Sequence, residues 1–184
     1  MENGASSYRR FLDGDESGFV EIVRDYKDGL ILYLNSFVNN LSVAEDLAED
    51  TFVKLGIKRP KDVGGASFKT WLYAIGRNVA IDFMRRNKFT DVSIDDCTAL
   101  TNAVESLEQS YIKKEDRLVL HTLMQRLKPT YRQVLWLVYF GGFHHKEVAR
   151  IMKKSVHSIE TLVYRARLSL KSELEKEGFV YENL

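Results

Sequence analysis

Three side chains in the middle of the chain are spaced for contact with unstacked nucleic-acid bases. Trp71, Asn78 and Arg85 recur every seven residues, so on a helix they lie along nearly one line. An aromatic ring, an amide and a guanidinium supply a stacking surface, a hydrogen-bonding group and a phosphate contact. Arg77 and Arg86 add positive charge. The same pattern also fits a plain core helix, in which Trp71 is buried and Asn78 is only solvated.

A second constellation lies further along, where residues 144–152 and 156–176 are predicted to form helices joined by a turn. Ala149 is small where the two helices would touch, and Ile159 is apolar where the second must pack on the first. The opposite face of the second helix is polar and partly basic, which fits the major groove of DNA. That face comprises Ser155, His157, Ser158, Glu160, Thr161, Tyr164, Arg165 and Arg167. A helix pair that does not bind DNA is the alternative, and Lys153 stands where a turn glycine is common.

A third group is acidic. Glu45, Asp46, Glu49 and Asp50 cluster next to Phe52 at the start of a predicted helix. A solvated acidic first turn, favoured by the helix dipole, is one interpretation. A face that binds a protein partner is the other.

Charge is distributed in blocks although the net charge is only +1. Residues 1–55 and 91–116 are acidic, with net charges of −6 and −5, whereas residues 56–90 and 117–184 each carry +6. Charges act over about 10 Å in salt, so each block acts locally. The pattern predicts two nucleic-acid surfaces with an acidic segment between them.

Apolar side chains recur at helical spacing, and no segment is predicted as a strand. Residues 19–41 form one predicted helix, a second begins at Ser42 with Glu45 in a capping box, and a third covers residues 67–87. Residues 88–114 lose this periodicity. A further helix ends before Pro129, which suits the first turn of the next helix, and Gly141 ends that one. The expected fold is all-α: two small helical domains, 1–87 and 115–184, joined by a flexible linker, 88–114.

Four segments then reveal a family resemblance. They are AEDLAEDTF at 44–52, FKTWLYAIGRNVAIDFMRR at 68–86, LKPTYRQVLWLVYFGGFHHKEVARIM at 127–152 and SVHSIETLVYRARLSLK at 155–171. Together and in this order they resemble bacterial RNA polymerase sigma factors of the extracytoplasmic-function (ECF) group. The chain departs from many relatives in the loop KDVGGAS, which lacks their aromatic residue, and in Glu160 and Leu162, where theirs are often basic.

The resemblance implies a role for each segment. Residues 1–87 would be the region-two domain, which binds core polymerase and recognises and melts the minus-ten promoter element. Residues 115–184 would be the region-four domain, which binds the minus-thirty-five element. The implied core-binding residues are Glu45, Asp46, Glu49, Asp50 and Phe52, and the implied minus-ten residues are Lys69, Trp71, Arg77, Asn78, Arg85 and Arg86. The implied minus-thirty-five residues are the polar set from Ser155 to Arg167 given above. The implied partners are RNA polymerase core enzyme, promoter DNA and an anti-sigma factor.

Other function classes fit the sequence less well. A helix-turn-helix regulator with no role at the polymerase core is the main alternative, but it leaves residues 44–86 without a purpose. We expect no enzymatic activity, catalytic residue, cofactor or metal, because adjacent His144 and His145 point to different sides of a helix and no phosphate loop is present. A single cysteine, Cys97, and no long apolar run lead us to expect a cytoplasmic protein without a membrane segment.

Overall fold

The computed structural model describes residues 3–59, 65–87, 120 and 122–178. Within these residues the chain forms helices and no strand. In the first domain, α1 is Asn3–Leu12, α2 is Ser17–Val38, α3 is Leu41–Lys58 and α4 is Phe68–Asn87. In the second, α5 is Pro129–Leu135, a π-helical turn is Trp136–Phe140, α6 is His145–Met152 and α7 is Val156–Lys176. The predicted linker, 88–114, and the predicted start of the second domain at 115 lie outside the described residues.

The start of α3 corrects one prediction. The helix is capped by Asn40, whose side-chain oxygen accepts a hydrogen bond from the backbone N–H of Val43 at 3.1 Å. The predicted capping box of Ser42 and Glu45 is therefore wrong, because Ser42 already lies inside the helix. Asn40 and Ser42 are both good N-cap residues. The chain turns at Asn39, which has a left-handed backbone conformation, so the helix begins directly after Asn40.

An N-terminal helix, α1, adds aromatic side chains to the first domain and was not among the predicted elements. Tyr8 and Phe11 are each 4% exposed and join the core. The ring of Tyr8 lies 5.1 Å from that of Phe68 and 5.4 Å from that of Trp71. α1 therefore supports the start of α4, which carries the residues predicted to contact bases.

The second domain departs from a regular helix at its centre. Pro129 occupies the first turn of α5, as predicted, but the helix widens to a π-helical turn at Trp136 before it ends at Gly141. The backbone N–H of Gly141 donates to the carbonyl oxygen of Trp136, five residues back, at 2.8 Å. In a π-helical turn each hydrogen bond spans five residues instead of the four of an α-helix, so the turn holds one more residue.

The helix-turn-helix prediction is confirmed in its geometry. At the start of α6 the backbone N–H of His144 donates to the Glu147 carboxylate at 3.0 Å, and Ser155 caps α7 by accepting from the N–H of Ser158 at 3.1 Å. Between the helices Lys153 takes the left-handed conformation, with φ of 54°, that explains why glycine is common at this place. The buried stripe of α7 is Ile159, Val163, Ala166, Leu170 and Leu174.

The two domains are in direct contact. From Gly29 to Val38 every residue of α2 is buried, although an amphipathic helix exposes one face. The second domain helps to cover this half of α2, since the Arg132 Nε donates to the carbonyl oxygen of Ser36 at 3.1 Å. Sequence periodicity did not predict this packing, because it joins side chains about a hundred positions apart.

Candidate DNA and polymerase interfaces

A groove between α3 and α4 brings together part of the predicted base-binding set. Trp71 and Asn78 both line it, in a volume of about 330 Å³. Across the groove α3 contributes Lys54 and Lys58. An indole, an amide, two ammonium groups and the Asp82 carboxylate thus border one surface depression. The two lysines outnumber the single carboxylate, so the groove is suited to a base and its phosphates.

Trp71 satisfies both interpretations made from the sequence. Its ring packs on Tyr8 and Phe68 with centroid distances of 5.4 and 5.9 Å, yet it is only partly buried and reaches the groove. Asn78 is exposed and has no structural role in the core. Of these two side chains, Asn78 is therefore the one whose loss leaves the fold intact.

The remaining members of the predicted set lie elsewhere. Arg85 and Arg86 are exposed at the end of α4, with an Arg85 nitrogen 3.8 Å from an Asp82 carboxylate oxygen. The Nε of Arg77 is buried without a hydrogen-bond partner. Lys69 is turned towards the second domain, where its ammonium group donates to the carbonyl oxygen of Gly141 at 2.7 Å. The structure thus does not gather all six predicted residues on one surface.

Lys54 and Lys58 are groove residues that the sequence reading missed. They follow the acidic cluster on α3. The two lysines are four residues apart, so they lie on the same side of that helix. Their relation to Asn78 depends on how α3 packs against α4, and no local pattern reports that packing. The available signal was the change of sign along α3, from acidic at 45–50 to basic at 54–58.

The acidic cluster forms an exposed face of α3. Glu45, Asp46, Glu49 and Asp50 are all exposed, whereas Phe52 is buried at 6% and belongs to the core. Beside this face an apolar groove of about 500 Å³ separates α2 from α3. Its lining residues are Phe19, Val23, Lys27, Ala48, Glu49, Phe52, Val53, Gly56 and Ile57. Val53 and Ile57 are 55% and 77% exposed, so the acidic face continues into an apolar one.

The polar face of α7 is open to solvent. Tyr164 is 64% exposed, and Glu160 and Arg165 are exposed as well. Some of the predicted DNA-reading groups already have local partners. The Ser155 Oγ caps the helix, and the Thr161 hydroxyl donates to the carbonyl oxygen of His157 at 3.1 Å. Glu160 lies 4.0 Å from His157 Nδ1, both near the tip of the helix.

Comparison with known proteins agrees with the division into two helical domains. The Sigma-70 region 2 family matches residues 22–90, and the Sigma-70 region 4 family matches residues 117–170. The RNA polymerase sigma factor YlaC of Bacillus subtilis is 31% identical over 160 residues, covering 85% of this chain and 91% of the relative. The ECF RNA polymerase sigma factor SigM of the same organism is 31% identical, covering 83% and 92%. The chain belongs to the ECF RNA polymerase sigma factors.

Solved structures confirm the helical fold of this sigma factor. CnrH, in complex with the cytosolic domain of CnrY, matches with a TM-score of 0.70 at 21% identity, covering 95% of this chain and 98% of that one. RpoE of Bartonella quintana, in complex with the anti-sigma factor NepR, matches with a TM-score of 0.67 at 23% identity, covering 85% and 96%. The helix-turn-helix regulator without a polymerase role is not favoured, since residues 22–90 match a sigma-factor region.

Two further properties concern only the described residues. No helix among them is both long enough and apolar enough to cross a membrane. The same residues contain no group of three or more His, Cys, Asp or Glu side chains that could hold a metal ion.

Proposed function

We propose that this sigma factor binds RNA polymerase core enzyme through α3, holds the opened minus-ten strand in the groove between α3 and α4, and reads the minus-thirty-five element with α7. The observation that carries the proposal is the groove itself. It joins an exposed amide, an indole and two lysines on the domain that matches Sigma-70 region 2, in a chain that also has an exposed helix-turn-helix.

The groove suits a single strand better than a duplex. Trp71 offers part of a ring face for stacking, Asn78 offers a donor and an acceptor to a base edge, and Lys54 and Lys58 supply charge for phosphates. Promoter melting then needs no catalytic residue, because trapping unstacked bases shifts the equilibrium between closed and open DNA. In this proposal the protein acts by binding and not as an enzyme.

The polymerase partner is proposed to meet the acidic face and the adjoining apolar groove. Four exposed carboxylates on one helix attract a basic surface, and exposed Val53 and Ile57 give that contact an apolar centre. We also propose a cytoplasmic location, because the proposed work is done at the polymerase. An anti-sigma factor is a further proposed partner, since the related fold of RpoE is seen with the anti-sigma factor NepR.

Purified core enzyme tests the proposal directly. With this chain added, core enzyme is expected to initiate at a defined subset of genomic fragments. Neither component alone is expected to do so. Tight, specific binding of the free chain to duplex promoters at physiological salt, without any effect on core enzyme, would instead establish the simple-regulator alternative.

Within the minus-thirty-five contact, Glu160 and Arg165 are predicted to behave differently. A carboxylate in the major groove is repelled by phosphates and is rewarded only by a base donor such as the cytosine amino group. Glu160→Ala is expected to relax preference at one base pair by about 1–3 kcal/mol. Arg165→Ala is expected to weaken all sequences alike and to reduce the salt dependence by about one unit of slope. Transcription from a randomised minus-thirty-five library by each holoenzyme measures both effects.

Glu175→Ala is the matched control, because Glu175 is also exposed but lies near the other end of α7. An unchanged base preference in the Glu160→Ala library would leave that carboxylate as a local partner of His157 only.

A further inference from the structure

The N-terminal helix α1 packs closely against the domain that carries the groove between α3 and α4. Gly18 of α2 makes this approach possible, because a Cβ atom there would lie 2.3 Å from the carbonyl oxygen of Ser7. The Glu21 carboxylate of α2 accepts hydrogen bonds from the Ser7 hydroxyl at 2.8 Å and from the Arg10 guanidinium at 2.9 Å. Residues 22–90 match the Sigma-70 region 2 family, so α1 lies outside that match. Close backbone contact and hydrogen bonds thus attach to this domain a helix that the family match does not include.

One side of α1 reaches the tryptophan of the groove. Tyr8 is buried, and its ring lies 5.4 Å from that of Trp71 and 5.1 Å from that of Phe68. Phe68 in turn lies 5.9 Å from Trp71, so the three rings contact one another. Trp71 itself is only partly buried and lines the groove. A ring of α1 and a ring of its own helix therefore restrict the indole.

The next turn of α1 reaches the other wall of the groove. Arg59 is the residue after α3 ends, and its guanidinium lies 4.3 Å from the centre of the Phe11 ring. A cation over an aromatic face is attracted by the ring. Burial raises the pKa of Tyr8 and the positive charge of Arg59 opposes that shift, so this guanidinium also lies near Tyr8. Lys58, which lines the groove, directly precedes Arg59. α1 therefore contacts both walls at the same end of the groove.

Order in a stacking ring matters for binding. A large side chain that becomes ordered only when its ligand arrives loses rotational freedom at that moment, which lowers the affinity about 2- to 12-fold. A ring that the folded protein already holds in place avoids this loss. Tyr8 restricts Trp71 within the folded chain, before any base is present.

We propose that α1 is part of the minus-ten site and that Tyr8 is a positioning residue, which holds the Trp71 indole ready to stack on an unpaired base. Phe11 has the corresponding role for Arg59, whose guanidinium it holds at the end of the groove for a phosphate of the strand. Tyr8 and Phe11 are themselves buried and act through these two side chains. The inference rests on the proposed function of the groove.

Tyr8→Leu is the first test, because leucine keeps an apolar, helix-forming side chain beside Trp71 but removes the ring. Holoenzyme with this variant is expected to form about 2- to 12-fold less open complex, with unchanged affinity for core enzyme. Tyr8→Phe keeps the ring and is expected to restore normal opening. Permanganate reactivity on a promoter that the wild-type holoenzyme opens measures the effect.

Time-resolved fluorescence anisotropy shows whether Trp71 is held in the free chain. Trp136→Phe leaves Trp71 the only tryptophan, so the fast decay of anisotropy reports motion of this indole. We expect a small fast component in the Trp136→Phe chain and in its Tyr8→Phe derivative. A larger one is expected in the Tyr8→Leu derivative. Reduced stability alone would not produce this change in a chain that stays folded.

Phe37→Leu is the matched control for the loss of a ring from the core. Phe37 is 3% exposed, close to the value for Tyr8, and its ring packs on that of Tyr33 at 5.3 Å. This variant is expected to lower the thermal stability to a similar extent. The anisotropy of Trp71 and promoter opening are both expected to keep their wild-type values.

Gly18→Ala displaces α1 as a whole and does not depend on a substitution at Tyr8. Alanine suits α2, but its Cβ would collide with the carbonyl oxygen of Ser7, so α1 must move. We expect the same increase in Trp71 motion. The loss of opening is expected to be at least as large as for Tyr8→Leu, since Phe11 moves as well. Circular dichroism verifies that each variant keeps its helices.

Equal restriction of Trp71 in the folded Tyr8→Leu chain and its parent would overturn the positioning role. Normal opening by the Tyr8→Leu and Gly18→Ala holoenzymes would overturn it too, and Asn78→Ala then decides what remains. If Asn78→Ala alone is defective, the groove keeps its function and α1 has no part in it. If Asn78→Ala also opens promoters normally, the groove does not hold the strand, and the proposed function fails as well.

Discussion

Replacing Asp46 and Asp50 together by Lys is expected to weaken binding to RNA polymerase core roughly 100-fold, since each substitution turns an attraction into a repulsion. Both carboxylates are exposed on α3 and neither supports the core, so folding is expected to be unaffected. Fluorescence anisotropy of the labelled chain titrated with core enzyme measures the dissociation constant. The loss is expected to shrink as salt is added, because screening weakens both attraction and repulsion.

Asp28→Lys with Glu175→Lys provides the control for this charge change. Both residues are exposed, one on α2 and one on α7, and the pair alters the net charge by the same amount. A second arm replaces Ile57, which is 77% exposed, by Ser. Equal affinities for the double Asp variant and its control would move the polymerase contact away from α3.

Asn78→Ala is expected to reduce open-complex formation by at least about five-fold while core binding stays normal. Asn78 lines the groove with Trp71 but is exposed, so its removal costs the fold little. The lost hydrogen bonds to an unstacked base correspond to about 1–3 kcal/mol, which is roughly 5-fold to 150-fold. Permanganate reactivity of unpaired thymines at the promoter measures strand opening.

Asn87→Ala is the matched control, because Asn87 ends the same helix, outside the groove, and its side chain donates to the carbonyl oxygen of Phe83. It is expected to open promoters normally. If Asn78→Ala did so as well, Asn78 would have no part in holding the strand.

The helices and their ends were largely predictable because their signals are local. Pro129 lies in the first turn of α5, and α7 begins at Val156, both as the sequence predicts. The error at Asn40 arose where two good capping residues lie two positions apart. The choice between them depends on the chain direction after α2, which no short window of sequence contains.

The candidate sites were predictable only in part, for a related reason. Helical spacing predicted that Trp71 and Asn78 share a surface, and both do line one groove. Lys54 and Lys58 reach that groove through packing between helices, and Lys69 leaves it through contact with Gly141 of the other domain. Periodicity describes one helix at a time, whereas each of these placements depends on a pair of elements.

The aromatic contact between the two domains, in which Trp136 and Phe143 pack on Tyr33 and Tyr73, also constrains how the protein is made. Tyr33 and Tyr73 leave the ribosome long before the rings that cover them, since 70 residues separate Tyr73 from Phe143. At 5–20 residues per second, synthesis of that stretch takes about 4–14 s. For those seconds the nascent first domain presents an uncovered tyrosine patch to the ribosome surface and to chaperones. The contact between the two domains thus sets a brief period of vulnerability in every round of translation, before the protein has met either DNA or polymerase.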